Sequence, residues 1–129
     1  MTQRMAQRTT WTVVCAYDRL LPGRGVCALV GGEQVALFRL GSGELFAIGN
    51  RDPFSGAYVL SRGIVGSRGD DIFVASPIYK QPISLRTGHA LDDPAMCVPT
   101  YPVRVHDGVV QIGSRTPIPA EKVTVPEAV

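Results

Sequence analysis

The sequence predicts a single all-β domain, an antiparallel sandwich or small barrel with two long loops carried between its strands. Three observations lead there. Fourteen glycines and ten prolines in 129 residues interrupt the chain too often for a helical bundle and suit short strands joined by tight turns. No segment holds a 3.6-residue apolar period for more than about two turns. Hydrophobic residues make up 45% and charged residues 19%, a balance that supports a packed core and argues against disorder. A chain of this length buries roughly two-thirds of its unfolded surface on folding, so it needs no disulfide or metal to hold it.

Residues 1–10 are polar and Arg-containing and are expected to form a flexible arm. They lack the apolar stretch of a secretory signal, which leads to a cytoplasmic expectation. Trp11 to Ala16 (WTVVCA) has the β-branched and aromatic composition of a strand. Asp18 to Gly25, with Pro22 and two glycines, reads as a loop. Val26 to Val30 and Gln34 to Leu40 are strands joined by the hairpin signal Gly31-Gly32, and Gly41-Ser42-Gly43 turns the chain into Leu45 to Ile48, giving an antiparallel meander.

Asn50 to Tyr58 (NRDPFSGAY) has no clear period and contains Pro53 and Gly56, the mark of an ordered loop. Gly63 to Gly69 is a glycine-rich insert that reads equally as a mobile turn or as a partner contact. Asp71 to Ala75 is a strand, Ser76 to Pro82 (SPIYKQP) a second special loop, and Leu85 to Ala90 a strand–turn–strand bent at Thr87-Gly88. Residues 94–102 contain three prolines and are expected to cross the surface in extended form. Tyr101 to His106 and Val109 to Ile112, joined by Asp107-Gly108, form the clearest hairpin. The core domain is expected over 11–113, with an irregular tail over 114–129.

Several function classes fall away on composition. The net charge is +2 and the basic residues are scattered among acids rather than clustered, so no nucleic-acid partner is expected. The longest uncharged stretch is ten residues, Pro94 to Val103, so no membrane-spanning helix is expected. Ligand-type residues are Cys15, Cys27, Cys97, His89 and His106, with no C-x-x-C pair and no Cys within four residues of a His. The three thiols are expected to be free, with Cys15 and Cys27 in the core. His89 and His106 read as strand residues, and Asp92-Asp93 before Pro94 as a turn.

The two loops resemble the cluster-binding loops of Rieske iron–sulfur domains, which hold a [2Fe–2S] cluster through two Cys and two His. Pro53, Gly56, Pro77 and the trailing Leu85-Arg86-Thr87-Gly88 match that pattern. The ligand positions do not: Asp52 and Ser76 stand where cysteines belong, and Phe54 and Tyr79 where histidines belong. The 21 residues between Phe54 and Ser76 also make the loop separation somewhat long. Cluster iron wants thiolates and imidazoles, so no cofactor or metal is expected in this chain.

From Trp11 to about Gly113 the chain is similar to the small subunits of assimilatory NAD(P)H-dependent nitrite reductases, Rieske-like proteins that commonly lack the ligands. The stretches Asn50 to Gly66, Val74 to Gly88 and Tyr101 to Val110 carry that resemblance. It implies a Rieske-like antiparallel β-sandwich. It also implies an accessory role beside a large subunit that bears siroheme, a [4Fe–4S] cluster and FAD and reduces nitrite to ammonium with NAD(P)H. No catalytic residue is expected here, because nothing near Asp52 supplies a nucleophile or a second catalytic carboxylate. The alternatives are a Rieske-type electron carrier and an interaction module of another oxidoreductase; iron content separates the first of these from the accessory role.

Two readings of the loop residues stand side by side. In one, Phe54 and Tyr79 fill the void left by a cluster while Asp52, Ser76 or the Tyr79 hydroxyl tie the loops together. In the other, Phe54, Tyr79 and Lys80 form an exposed tip that docks on the large subunit. Exposure of the Phe54 ring discriminates between them. Arg51 is expected to pair with an acid on a neighbouring loop.

Overall fold

A computed structural model describes residues 9–114 of the chain. Ten strands follow one another: β1 (Trp11–Ala16), β2 (Gly25–Val30), β3 (Glu33–Arg39), β4 (Leu45–Gly49), β5 (Ile64–Arg68), β6 (Asp71–Ala75), β7 (Pro82–Ser84), β8 (Thr100–Tyr101), β9 (Val103–His106) and β10 (Val109–Gly113). The helical content of the described residues is two three-residue 3-10 turns, Tyr17–Arg19 and Leu60–Arg62. The sheets are β1-β10-β9, β2-β3-β4-β8 and β5-β6-β7, with every strand pair antiparallel.

The β2–β3–β4 sheet is the middle layer. Val35, Ala36, Leu37 and Phe38 of β3 are all fully buried, which a strand with one wet face could not achieve. Alternation sends them to opposite sides. Ala36 and Phe38 join Ile48, Leu60, Val74, Ile83 and Leu85 in a core shared with β5–β7. Val35 and Leu37 join Val30, Ala47, Tyr101, Val110 and Ile112 in a second core under β1, β9 and β10. The short strands thus build two apolar layers about one central strand.

Both predicted tight turns form. Val30 pairs with Glu33 around Gly31-Gly32, and His106 with Val109 around Asp107-Gly108. All four turn residues have positive φ, as the type I′ hairpin turn demands.

Five expectations need correction. The opening strands are not one meander, because β1 leaves β2 and pairs with β10 at the far end of the domain. The stretch Gly63 to Gly69 is largely a strand: β5 pairs with β6 in full register, and the missing Cβ of Gly66 makes room for the Phe73 ring opposite. In the stretch Leu85 to Ala90 the turn falls earlier, over 85–87, where Ser84 Oγ accepts the Arg86 and Thr87 N–H groups; the first strand is the preceding Pro82–Ser84, and His89 and Ala90 form single antiparallel bridges to Cys97 and Ile83. Cys27 is exposed on the outward alternation of β2, and Cys15 is half-buried. Burial pushes the Cys15 thiol pKa up, which disfavours the reactive thiolate. Within the proposed arm and tail, residues 1–8 and 115–129 lie outside the described residues.

Gly88 has φ +80, and a Cβ there would run into the Val98 carbonyl. Gly88→Ala is therefore expected to cost more than about 2 kcal/mol in urea unfolding, because backbone strain and a backbone clash add. An unchanged midpoint would show that this turn yields freely.

Candidate functional site

The two loops leave the ends of β4 and β6 and are built on one plan. Each begins at a buried polar residue followed by proline: Asp52-Pro53 in the first, Ser76-Pro77 in the second. In each, the side chain of that residue accepts the N–H two positions on, Phe54 N–H to Asp52 Oδ1 at 2.9 Å and Ile78 N–H to Ser76 Oγ at 3.1 Å. Its carbonyl accepts the N–H four positions on, from Gly56 at 2.7 Å and from Lys80 at 2.9 Å. Its own N–H donates five positions on, to Ala57 and to Gln81. The fourth position is left-handed in both, Gly56 at φ +83 and Lys80 at φ +58. Glycine takes that conformation without strain, whereas lysine is held there by the surrounding bonds.

The loops meet at their first residues. Ser76 Oγ donates to Asp52 Oδ2 at 2.7 Å, and both residues are closed to solvent, at 1% and 0% exposure. Ser55 Oγ donates to the same carboxylate oxygen at 2.9 Å. Asp52 therefore has three donors, which is what a carboxylate removed from water requires. Asn50 braces the base of the first loop: its Oδ1 accepts the Ser61 N–H at 2.7 Å and its Nδ2 donates to the Tyr58 carbonyl and to Gln34 Oε1 at 3.1 Å each.

The four residues that the sequence resemblance sets at ligand positions divide into an inner and an outer set. Asp52 and Ser76 tie the loops from within. Phe54 is half-buried and packs against the core shared by β3, β4 and β6, so its ring is a support for the first loop. Tyr79 is 60% exposed and does not fill the interior; the expectation that it would plug a void is corrected. Lys80 is exposed beside it. Arg51 lies against Gly56 and has no acidic partner among the described residues, contrary to expectation. His89 Nδ1 lies 2.8 Å from the Pro94 carbonyl, which accepts its hydrogen when the ring is protonated there, and His106 is exposed near Asp107.

These residues do not fit a [2Fe–2S] cluster. Such a cluster needs four thiolate or imidazole donors. Here Phe54 offers no donor atom, Tyr79 faces out, and Asp52 and Ser76 are bonded directly to each other. No group of three or more His, Cys, Asp or Glu among the described residues is arranged to hold a metal. Cys27 Sγ lies 3.6 Å from Asn50 Nδ2 and from Gln34 Oε1 instead. Sequence reasoning named Asp52 and Ser76 but missed Ser55 and Asn50. The repeated buried-residue-plus-proline start was the available signal for the shared loop plan.

A three-layer β domain with two such loops at the ends of strands in two packed sheets defines a Rieske-like domain, and residues 10–113 match the Rieske-like [2Fe-2S] domain family. Within that class the chain belongs to the nitrite reductase (NADH) small-subunit family. It is 50% identical over 103 residues to the nitrite reductase (NADH) small subunit of Salmonella typhimurium, covering 79% of this chain and 95% of that one. A Mycobacterium tuberculosis structure assigned as the NADH-dependent nitrite reductase small subunit superposes with a TM-score of 0.82 at 53% identity, covering 87% of this chain and all of that one. The chain is also 40% identical over 105 residues, 81% of its length, to part of the nitrite reductase [NAD(P)H] large subunit of Klebsiella oxytoca; the match spans 11% of that protein.

Removing the Asp52 carboxylate leaves the buried Ser76 hydroxyl and the part-buried Ser55 hydroxyl and Phe54 N–H without their acceptor, so Asp52→Ala is expected to cost about 3 kcal/mol in urea unfolding. Ser76→Ala is expected to cost about 1–2 kcal/mol. The double variant should fall short of the sum by at least about 0.5 kcal/mol, since the two share one bond. Strict additivity would mean that the loops are held independently.

Proposed function

We propose that this chain is the accessory small subunit of a cytoplasmic NAD(P)H-dependent nitrite reductase. Its task is to bind and support the large subunit that reduces nitrite to ammonium. One observation carries this reading: a domain 40% identical to this chain lies within a protein named as a nitrite reductase large subunit, of which it makes up 11%. A domain found as a separate chain in one species and joined to its partner in another works against that partner in both.

In this reading the large subunit supplies the redox chemistry, through siroheme, a [4Fe–4S] cluster and FAD, with NAD(P)H as donor. This chain supplies no electron-carrying group, because its loop residues are not a donor set for one. Asp52 is closed to solvent with its lone pairs taken by three donors, so it ties loops and moves no proton. No described helix is long and apolar enough to cross a membrane.

The test is nitrite-dependent NADH oxidation by the large subunit purified with and without this chain. The expected outcome is co-purification of the two chains, and a loss of activity or of large-subunit stability when this one is omitted. A large subunit equally active and equally stable alone, with no binding of this chain, would refute the reading.

A further inference from the structure

We propose that the turn Pro77-Ile78-Tyr79-Lys80 is the face with which this chain docks on the nitrite reductase large subunit, seating Tyr79 and Ile78 in an apolar recess rimmed by carboxylates. The inference rests on the accessory-subunit reading and names the surface that serves it.

Exposure singles out this turn. Ile78 and Tyr79 are 44% and 60% exposed and adjacent in sequence on one short turn. Of the other exposed apolar side chains, Val13, Leu29, Ile64 and Val105 sit one to a strand on β1, β2, β5 and β9, and Leu21 and Tyr58 stand singly on loops, with no large exposed apolar neighbour in sequence. Single exposed apolar residues on strands are ordinary, whereas an aromatic and a branched aliphatic side chain presented together are an anchor.

The turn is also held rigid from beneath. Ser76 accepts the Ile78 N–H through its side chain and the Lys80 N–H through its carbonyl, while its hydroxyl is fixed on Asp52. A buried polar network that pins an exposed apolar turn reduces the conformational entropy lost on association. Lys80 is one of two described non-glycine residues with positive φ, and the other, Asp107, sits in a hairpin turn. Strain at such a position persists only where the surroundings impose it.

Charge sets the chemistry of the partner. Lys80 on the second loop and Arg51 on the first have no acidic partner among the described residues. Two cations without an acidic partner among the described residues, carried on loops tied together by the Asp52–Ser76 bond, favour an acidic rim on the surface they meet. The Klebsiella oxytoca large subunit contains a domain related to this chain together with a much longer remainder, and that remainder identifies the occupant. Phe54, half-buried against the core, supports the first loop from inside rather than making the contact.

The experiment measures binding of the purified full-length chain to the purified, cofactor-loaded large subunit by interferometry at low and moderate salt. Tyr79→Ala and Ile78→Ser are each expected to weaken binding at least about tenfold. Lys80→Glu should weaken it more at low salt than at moderate salt, because the lost attraction is screened. Leu29→Ser, on the outward face of β2, should bind as the unmodified chain does. Far-UV circular dichroism checks that each variant is folded, and three separate turn substitutions keep the test intact if one does not fold. Unmodified chain that binds, with folded turn variants binding within about twofold of it, overturns the docking face alone. Unmodified chain that does not bind overturns the accessory-subunit reading together with the face.

Discussion

Asp52 carries a carboxylate out of water at the point where two loops converge, and a buried carboxylate is tolerated only when donors surround it. Three do so: the Phe54 N–H, the Ser55 hydroxyl and the Ser76 hydroxyl. The last of these crosses between loops. Because the first loop follows β4 and the second follows β6, this single bond at 2.7 Å also links the central sheet to the β5–β7 sheet at their loop end. The two sheets already share the core around Phe38, Ile48 and Val74, so the bond closes a layer that apolar packing has brought together. In a cluster-bearing relative two irons would be the cross-link. Here a hydroxyl and a carboxylate join the two loops directly.

The frame on which the loops stand follows from β3. With Val35 to Phe38 buried on both faces, the central sheet is fixed between two cores, and the ends of β4 and β6 are placed by rigid neighbours on each side. The loops repeat one hydrogen-bond plan because a buried residue followed by proline poses the same problem twice. Its side chain and carbonyl are free to accept, and the fourth residue must turn left-handed to let them. Gly56 does so without strain; Lys80 does so under strain, and is exposed.

Much of this was legible in the residues. Gly31-Gly32 and Asp107-Gly108 announced type I′ turns because only such residues accept two consecutive positive φ angles. The departures at Asp52, Phe54, Ser76 and Tyr79 were visible because prolines and Gly56 marked the frame around them. What stayed hidden was non-local. Nothing in WTVVCA says that its partner is β10, almost a whole chain away, rather than β2. The glycines of residues 63–69 looked like a turn because a single sequence does not show that Phe73 occupies the space above Gly66. Cys27 looked buried because GVCALV is apolar throughout, yet β2 is an edge strand and alternates. Phe54 and Tyr79 had the same apparent standing in the sequence. Phe54 stands two residues after Asp52 and packs inward, whereas Tyr79 stands three after Ser76 and is exposed, a difference of place in the shared loop plan.

The central claim is that Asp52 and Ser76 join the two loops directly and that the described loop residues offer no donor set for a cluster. Anaerobic incubation of the purified chain with ferrous iron and sulfide, followed by desalting, iron and sulfide assay and a visible absorption spectrum, addresses it directly. The account predicts a colourless protein with neither iron nor acid-labile sulfide retained. Stoichiometric iron and sulfide with a Rieske-type absorption spectrum would contradict it.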